Sequence, residues 1–200
     1  EEIIIDIENR LYKSINQKKE NPSIGLDELR KKLNYVKNEV ILKHESLYLD
    51  DIQELIDKVN IFGYHFASLD IRQDSSIHNY VFENVITEIF GKKISDNYKN
   101  LSDYDKITFL SNKNFDDLKN EFKNTQVIKT LGSIAAMRNI QKSNGEKGCN
   151  RYIISHNQSA LNILEVFKMF EVIGWKNPSV DIVPLFETID DLKNSVSVME

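Results

Sequence analysis

Arg72 is the first residue whose position suggests chemistry. It ends a predicted strand and is followed by a helix that Asp74 and Ser75 can cap. In folds that alternate strands and helices, ligands bind beyond the carboxyl ends of the strands. A guanidinium at such a point can hold a phosphate or a carboxylate through two parallel hydrogen bonds. The alternative is a structural salt bridge to Asp70, Asp74 or a neighbouring helix.

Glu187 occupies the same kind of position later in the chain. It follows an apolar strand, Val180–Phe186, and precedes a helix that begins at Thr188. A carboxylate there can ligate Mg²⁺ or Mn²⁺, because these ions prefer oxygen ligands. The alternative is an acidic turn in which Thr188 is the N-cap and the helix dipole attracts the acids. That structural role is the favoured interpretation for Asp190 and Asp191, whereas for Glu187 both interpretations stay open.

The remaining reactive side chains form no recognisable motif. The chain has four histidines: His44, His65, His78 and His156. They lack the HxxxH and HExxH spacings, so no zinc site is predicted. His156 follows a strand and could face a pocket, and His78 could support Arg72 from about one helical turn away. Cys149 lies in no nucleophile motif, and residues 145–148 (GEKG) predict a turn and not a phosphate-binding loop.

The composition is that of a globular protein. The chain has 200 residues, of which 40% are hydrophobic and 28% charged, and its net charge is −5. This length allows one large domain or two small ones, and the apolar fraction is too high for a disordered chain. The negative charge argues against a nucleic-acid partner, and without a run of ~18 apolar residues no membrane span is predicted. A single cysteine fits a reducing cytoplasm, where we expect the protein.

Hydrophobic periodicity indicates the elements that position Arg72 and Glu187. Residues 1–60 carry three helical stripes and form a predicted helical segment. After it, the pattern predicts a strand over Tyr64–Ile71 and a helix ending at Gly91. A polar excursion over about 92–124 follows, with short helices near Tyr104–Leu110 and Phe115–Phe122. The last predicted elements are a helix over Thr125–Lys142, a strand over Arg151–Ser155, a helix from Ser159 to about Ile173, and the strand and helix around Glu187.

Alternation of strands and helices is typical of a parallel sheet or a (β/α) barrel. The predicted fold class is α/β and predominantly helical, with residues 61–200 forming part of a TIM-like (β/α) barrel wrapped by helices. Three strands cannot close a barrel of eight. We therefore expect sheet edges that are exposed or paired with another copy.

Three segments resemble phosphoenolpyruvate carboxylase. Residues 63–75 (GYHFASLDIRQDS), followed by His78, resemble the family's LDIRQ(D/E)S…H segment. Residues 151–155 (RYIIS) resemble its YVIS strand, and residues 183–192 (VPLFETIDDL) resemble its VPLFET(L/I)DDL motif. The segments occur in the family's order, and the resemblance extends from about Leu49 to the end. Residues 156–160 (HNQSA) depart from the family's pattern, so no role is carried over to His156.

The resemblance implies a carboxylation in which phosphoenolpyruvate and bicarbonate give oxaloacetate and phosphate. Glu187 matches a glutamate that ligates Mg²⁺ or Mn²⁺, Arg72 matches an arginine that contacts phosphate, and Leu185 matches a position lining the pocket that shelters the enolate or CO₂. The metal would neutralise the enolate charge, the guanidinium would hold the phosphoryl group, and the apolar wall would keep water away. The family also implies a homotetramer.

The family's enzymes are much longer than this chain. Their catalytic-histidine segment (TAHPT), metal-binding segment (GYSDS) and FHGRGG loop are not found here. We therefore expect an internal fragment that is inactive alone. Two alternatives stay open. One is another Mg-dependent (β/α)-barrel enzyme acting on a phosphorylated keto or enol acid, and the other is a non-enzymatic helical interaction module in which the apolar stripes of residues 3–60 bind a partner.

Overall fold

The computed structural model describes residues 1–16, 22–115 and 122–200. They belong to two compact units. The first unit comprises residues 1–68 and 139–148, and the second comprises residues 69–138 and 149–200. The division predicted from the sequence, at residues 60 and 61, stays a prediction.

Helices dominate the described residues, and the strands are few and short. The helices are α1 (Glu2–Asn16), α2 (Leu26–Lys43), α3 (Leu49–Phe62), α4 (Ser75–Phe90), α5 (Lys92–Lys99), α6 (Asp103–Ser111), α7 (Thr125–Asn144), α8 (Ala160–Val172) and α9 (Ile189–Met199). The strands are β1 (Asp70–Asp74), β2 (Arg151–Ser155) and β3 (Asp181–Pro184). The predicted α/β, predominantly helical class is confirmed. Within the described ranges the strands form a three-stranded sheet and not a closed barrel.

In the first unit, the apolar stripes of three helices meet in a small core. Its buried side chains are Ile7, Ile24, Leu29, Leu33 and Ile56. Burying an aliphatic side chain of this size contributes roughly 1.5–3 kcal/mol relative to leaving it exposed. The stripes predicted for residues 1–60 therefore identify the face that each helix buries.

In the second unit, the three strands form a parallel sheet in the order β1-β2-β3. Asp70 pairs with Arg151 and Asp74 pairs with Ser155, so β1 and β2 are in register along their whole length. On the central strand, Tyr152 and Ile154 are fully buried. Because the strands run in the same direction, their carboxyl ends lie at one edge of the sheet. The N-termini of α4, α8 and α9 follow at that edge.

The predicted strand over Tyr64–Ile71 is wrong, because the first strand is Asp70–Asp74. Residues 63–67 form turns and bends, and Phe66 has a φ of 57°, a left-handed conformation that strands do not use. The Tyr64 hydroxyl donates to the carbonyl oxygen of Ile24, and its ring packs on the core of the first unit. Tyr64 therefore packs on the first unit, whereas Phe66 and Leu69 are exposed and belong to no sheet face.

The polar segment after Gly91 contains two helices in its described part, α5 and α6. Helix α5 was not predicted, because its buried residues are Ser95 and Tyr98 and no apolar stripe marks it. The predicted helix near Tyr104–Leu110 is confirmed as α6. The helix predicted over Phe115–Phe122 lies mostly outside the described residues, although Phe115 itself is fully buried. No helix in the described ranges is long and apolar enough to cross a bilayer.

Candidate active site

Four charged or ionisable side chains meet at the carboxyl edge of the sheet: Arg72, Asp74, His156 and Glu187. We call them the strand-end cluster. Strand β1 supplies Arg72 and Asp74, whereas His156 and Glu187 lie in the turns that follow β2 and β3. The parallel arrangement of the strands brings together residues that are far apart in the chain.

The structure places the two predicted charged residues in direct contact. Nη2 of Arg72 donates to Oε1 of Glu187 over 2.6 Å. The two side chains are 58% and 29% exposed, so solvent and ligands can reach both groups. An exposed ion pair typically contributes less than about 1 kcal/mol to stability. The pair therefore contributes little to the stability of the fold. Its position at the strand ends suits ligand binding.

His156 joins the two carboxylates of the cluster. Its Nδ1 lies 2.7 Å from Oδ2 of Asp74, and its Nε2 lies 3.3 Å from Oε2 of Glu187. The hydrogen bond with Asp74 and the charge of Glu187 raise the pKa of His156 above its ordinary value. Hydrogen bonds from Ser76 and His156 lower the pKa of Asp74 to about 2. The two carboxylates therefore favour a cationic imidazole between them.

The backbone at His156 explains how the ring reaches both carboxylates. Strand β2 ends at Ser155, and His156 has a φ of 50°, in the left-handed region that few non-glycine residues adopt. The Ser75 hydroxyl donates to the His156 carbonyl oxygen over 2.6 Å and supports this turn. Sequence reasoning assigned His156 no role. The one feature of the sequence that pointed to a role for His156 was its position immediately after a strand end.

The turn that holds Glu187 is set by a capping box on α9. Oγ1 of Thr188 accepts from the Asp191 amide over 3.0 Å, and Oδ2 of Asp191 accepts from the Thr188 amide over 2.9 Å. The same Asp191 oxygen accepts from the Glu187 amide over 3.2 Å. The capping interpretation of Asp191 is thereby confirmed, and Asp190 lies beside it in the first helical turn. These bonds fix the Glu187 backbone and leave its carboxylate available to the cluster.

Leu185 and His78 lie close in sequence to the cluster. Leu185 extends β3 by one residue, since its amide donates to the Ile154 carbonyl over 2.9 Å, and its side chain is half-buried. Its role in lining a pocket stays a prediction. His78 is fully buried, with Nε2 3.0 Å from the Tyr152 hydroxyl, and burial lowers its pKa to about 4. His78 is therefore a neutral core residue.

The described residues do not complete a metal site. Arg72 and His156 already engage the two oxygens of Glu187. In the part of the chain that the structure describes, no group of three or more His, Cys, Asp or Glu side chains could hold a metal ion. A divalent ion at Glu187 would have to displace a donor and find further oxygen ligands elsewhere.

The cluster contains nitrogen donors as well as carboxylates. A guanidinium nitrogen of Arg72 and an imidazole nitrogen of His156 approach the two oxygens of one carboxylate. Charge-assisted hydrogen bonds of this kind also recognise phosphate and free carboxylates. The geometry therefore suits a ligand that carries negatively charged oxygens.

Comparison with known proteins agrees with the motifs at these strand ends. A family model described as phosphoenolpyruvate carboxylase matches residues 6–200. The chain is 31% identical over 203 residues to phosphoenolpyruvate carboxylase of Prochlorococcus marinus strain MIT 9312, an alignment that covers 97% of this chain and 19% of that protein. For the enzyme of strain MIT 9301, the identity is 30% over 209 residues, with the same coverage.

A third relative is the phosphoenolpyruvate carboxylase of Gloeobacter violaceus. It is 32% identical over 161 residues, which cover 74% of this chain and 17% of that protein. The chain thus spans about a fifth of the length of the curated relatives it matches. Because the family match extends over almost all of its residues, the chain belongs to the phosphoenolpyruvate carboxylase family.

Proposed function

We propose that the full-length protein containing this chain is a phosphoenolpyruvate carboxylase, a carboxy-lyase that forms oxaloacetate and phosphate from phosphoenolpyruvate and bicarbonate. The observation that carries the proposal is the 2.6 Å contact between Arg72 and Glu187 at the carboxyl ends of parallel strands. Membership of the family favours this function over another barrel enzyme or a helical interaction module.

In the proposed reaction, a bicarbonate oxygen attacks the phosphorus of phosphoenolpyruvate. The bond between phosphorus and the enol oxygen breaks, which gives carboxyphosphate and the enolate of pyruvate. Carboxyphosphate then splits into phosphate and CO₂, and the enolate carbon attacks CO₂ to form oxaloacetate. Arg72 would hold the phosphoryl oxygens throughout, since a preorganised guanidinium stabilises charge without having to reorganise.

Glu187 is proposed as one ligand of Mg²⁺ or Mn²⁺, with the other ligands supplied by residues outside this cluster. When bound, the ion would neutralise the negative charge of the enolate. His156 would orient the Glu187 carboxylate through its contact with Oε2. Leu185 is proposed as part of the apolar wall that keeps water from protonating the enolate.

Three further features belong to the same proposal. The parallel order β1-β2-β3, with a helix after each strand, supports a sheet that is part of a TIM-like (β/α) barrel over residues 61–200. The free edges of β1 and β3 would then pair with strands from elsewhere in the full-length protein. We also propose a homotetramer, as the family resemblance implies, in the cytoplasm, which the single cysteine fits.

The test is an assay of oxaloacetate formation by the full-length protein and its variants. Arg72→Gln and Glu187→Gln should each lower kcat/KM by about 100-fold or more, the usual cost of losing a group that stabilises a transition state. Arg151→Gln is the matched control, because Arg151 forms an exposed 3.0 Å pair with Asp70 at the opposite end of β1 and β2. It should keep activity within about twofold. Wild-type turnover in both test variants would refute the proposal.

A further inference from the structure

A polar cavity of about 280 Å³ lies in the second unit, among helices α4, α5, α6 and α8. Its lining includes Asn79, Glu83, Tyr98, Asp103, Lys106 and Glu165. Pockets for drug-sized ligands begin at about 300 Å³, so this volume suits a ligand of a few non-hydrogen atoms. None of these six residues belongs to the strand-end cluster.

Glu165 is the unusual member of this lining. It is only 2% exposed, and its Oε1 accepts a long hydrogen bond of 3.4 Å from the Tyr98 hydroxyl. Its Oε2 has no hydrogen-bond partner among the described residues. Buried polar atoms are almost always paired, by protein, water or ligand. The unpaired Oε2 of Glu165 therefore marks a point in the cavity where a hydrogen-bond donor from outside the protein can bind.

The charges around the cavity determine which donor fits. Glu83, Asp103 and Glu165 contribute carboxyl groups, although Lys99 lies 3.5 Å from Glu83 and shares its charge. Lys106 contributes the opposing charge, and its ammonium lies 5.4 Å from the centre of the Tyr98 ring. With Glu165 ionised, three carboxylates face the ammonium groups of Lys106 and the neighbouring Lys99, which leaves a net charge of −1 that favours a cation.

A cation bound in the cavity would change the protonation of Glu165. Burial raises the pKa of Glu165 to about 8, against the lowering effects of Lys106 and the Tyr98 hydroxyl, and Glu83 and Asp103 raise it further. A cation placed beside Oε2 would stabilise the carboxylate and release the proton. Binding should therefore strengthen as the pH rises toward 9.

The cation is better explained as organic than as metallic. The described ranges contain no group of three or more His, Cys, Asp or Glu side chains able to hold a metal ion. Beside the carboxyls lie amide groups, including the Asn79 and Asn162 side chains, which are joined by a 3.0 Å hydrogen bond. A primary ammonium has three N–H donors, which suits an environment of several separate oxygen acceptors.

We propose that this cavity binds a small primary-ammonium compound, with Oε2 of Glu165 accepting one of its N–H groups. The inference does not depend on the proposed carboxylation. The site would persist even if the strand-end cluster served another reaction.

The probe is methylammonium chloride, with tetramethylammonium chloride and KCl as controls at equal ionic strength. Methylammonium should raise the unfolding temperature of the full-length protein in a saturable way, because a ligand that binds only the folded state stabilises it. At pH 9, where Glu165 is ionised in the wild type, Glu165→Gln keeps the side-chain shape and should weaken the apparent affinity by about tenfold, the equivalent of one charge-assisted hydrogen bond. Asp96→Asn, which changes an exposed acid on α5 outside the cavity lining, should bind as the wild type does.

The pH dependence gives a second measurement. Methylammonium stays charged at both pH 7 and pH 9, whereas Glu165 loses its proton between them. The affinity of the wild type should rise by up to about tenfold over this interval, and that of Glu165→Gln should not. An equal effect of KCl or tetramethylammonium, an unchanged affinity in Glu165→Gln, or no stabilisation at pH 9 would overturn the proposal and leave a cavity that holds only water.

Discussion

Arg72 donates a 2.6 Å hydrogen bond to Glu187, although 115 residues separate them in the chain. Their strands, β1 and β3, do not pair with each other, because β2 lies between them. The contact therefore crosses the end of the central strand, where His156 also approaches Glu187. Two nitrogen donors from different strand ends thus share one carboxylate. The effects expected for Arg72, Glu187 and His156 variants depend on this arrangement, and the effect expected for His78 depends on the core that supports it.

Replacing Arg72 with Lys should impair catalysis even though the positive charge is kept. A lysine ammonium is a point charge and cannot make two parallel hydrogen bonds to a phosphoryl group. We expect a fall of at least about tenfold in kcat/KM for phosphoenolpyruvate, together with an unfolding temperature close to that of the wild type, since the pair is exposed. Steady-state kinetics and thermal unfolding of the full-length protein measure the two effects. An Arg72→Lys variant with unchanged kinetics would show that the guanidinium shape is not used.

Replacing Glu187 with Gln should weaken the binding of Mn²⁺ to the full-length protein. An amide oxygen lacks the charge of a carboxylate, so we expect at least about a tenfold loss of affinity. Titration followed by electron paramagnetic resonance of free Mn²⁺ measures it. Asp190→Asn is the control, because Asp190 lies three residues away with an 85% exposed side chain. Equal affinities of wild type and Glu187→Gln would remove Glu187 from the metal site.

Replacing His156 with Ala should have the opposite effect on Mn²⁺. The imidazole engages Oε2 of Glu187, and a metal ion has to displace this donor. A hydrogen bond typically contributes about 1 kcal/mol net, so its removal should tighten Mn²⁺ binding by about fivefold. The same titration measures the change. Weaker binding in His156→Ala would mean that the histidine supports the metal and does not compete with it.

Acid should destabilise the fold partly through His78. Burial lowers its pKa to about 4, whereas the unfolded chain takes up this proton near pH 6.5. Between these values the unfolded state binds more protons, so stability present above pH 6.5 is lost as the pH falls toward 4. The loss from this group amounts to at most about 3 kcal/mol.

The check is the unfolding temperature at pH 7 and at pH 5, measured for the wild type and for His78→Gln. The variant should lose less stability on acidification than the wild type. His44→Gln, at an exposed position on the first unit, should behave as the wild type does. Identical acid sensitivity in all three proteins would contradict the assignment.

Much of the sheet could be predicted from the sequence, because its signals are local. Residues 151–155 form a short apolar run, and the apolar strand before Glu187 is followed by the N-cap residue Thr188. Strands β2 and β3 and helix α9 therefore lie close to where they were expected. The first strand was misplaced because Tyr64 packs on the core of the first unit while Phe66 adopts a left-handed turn conformation and is exposed. Alternation of apolar residues alone therefore does not show that a strand forms or that a face is buried.

Part of the candidate site could be predicted from local signals, and part could not. Positions immediately after strands pointed to Arg72 and Glu187, and both lie in the strand-end cluster. The link through His156 depends on a left-handed turn and on the Ser75 hydroxyl, which residue types and spacing do not reveal. Glu165 was missed because an acid on a helix is usually solvated, and its burial becomes visible only after α5, α6 and α8 have packed.

The most direct test of the central claim is a double-mutant cycle on Arg72 and Glu187, with kcat/KM for oxaloacetate formation as the measured quantity. The variants are Arg72→Gln, Glu187→Gln and the double substitution, all in the full-length protein. If the two groups act together on one substrate, the double variant should be about as impaired as the worse single variant. Losses that multiply, so that each substitution has its full effect in the presence of the other, would contradict a shared site.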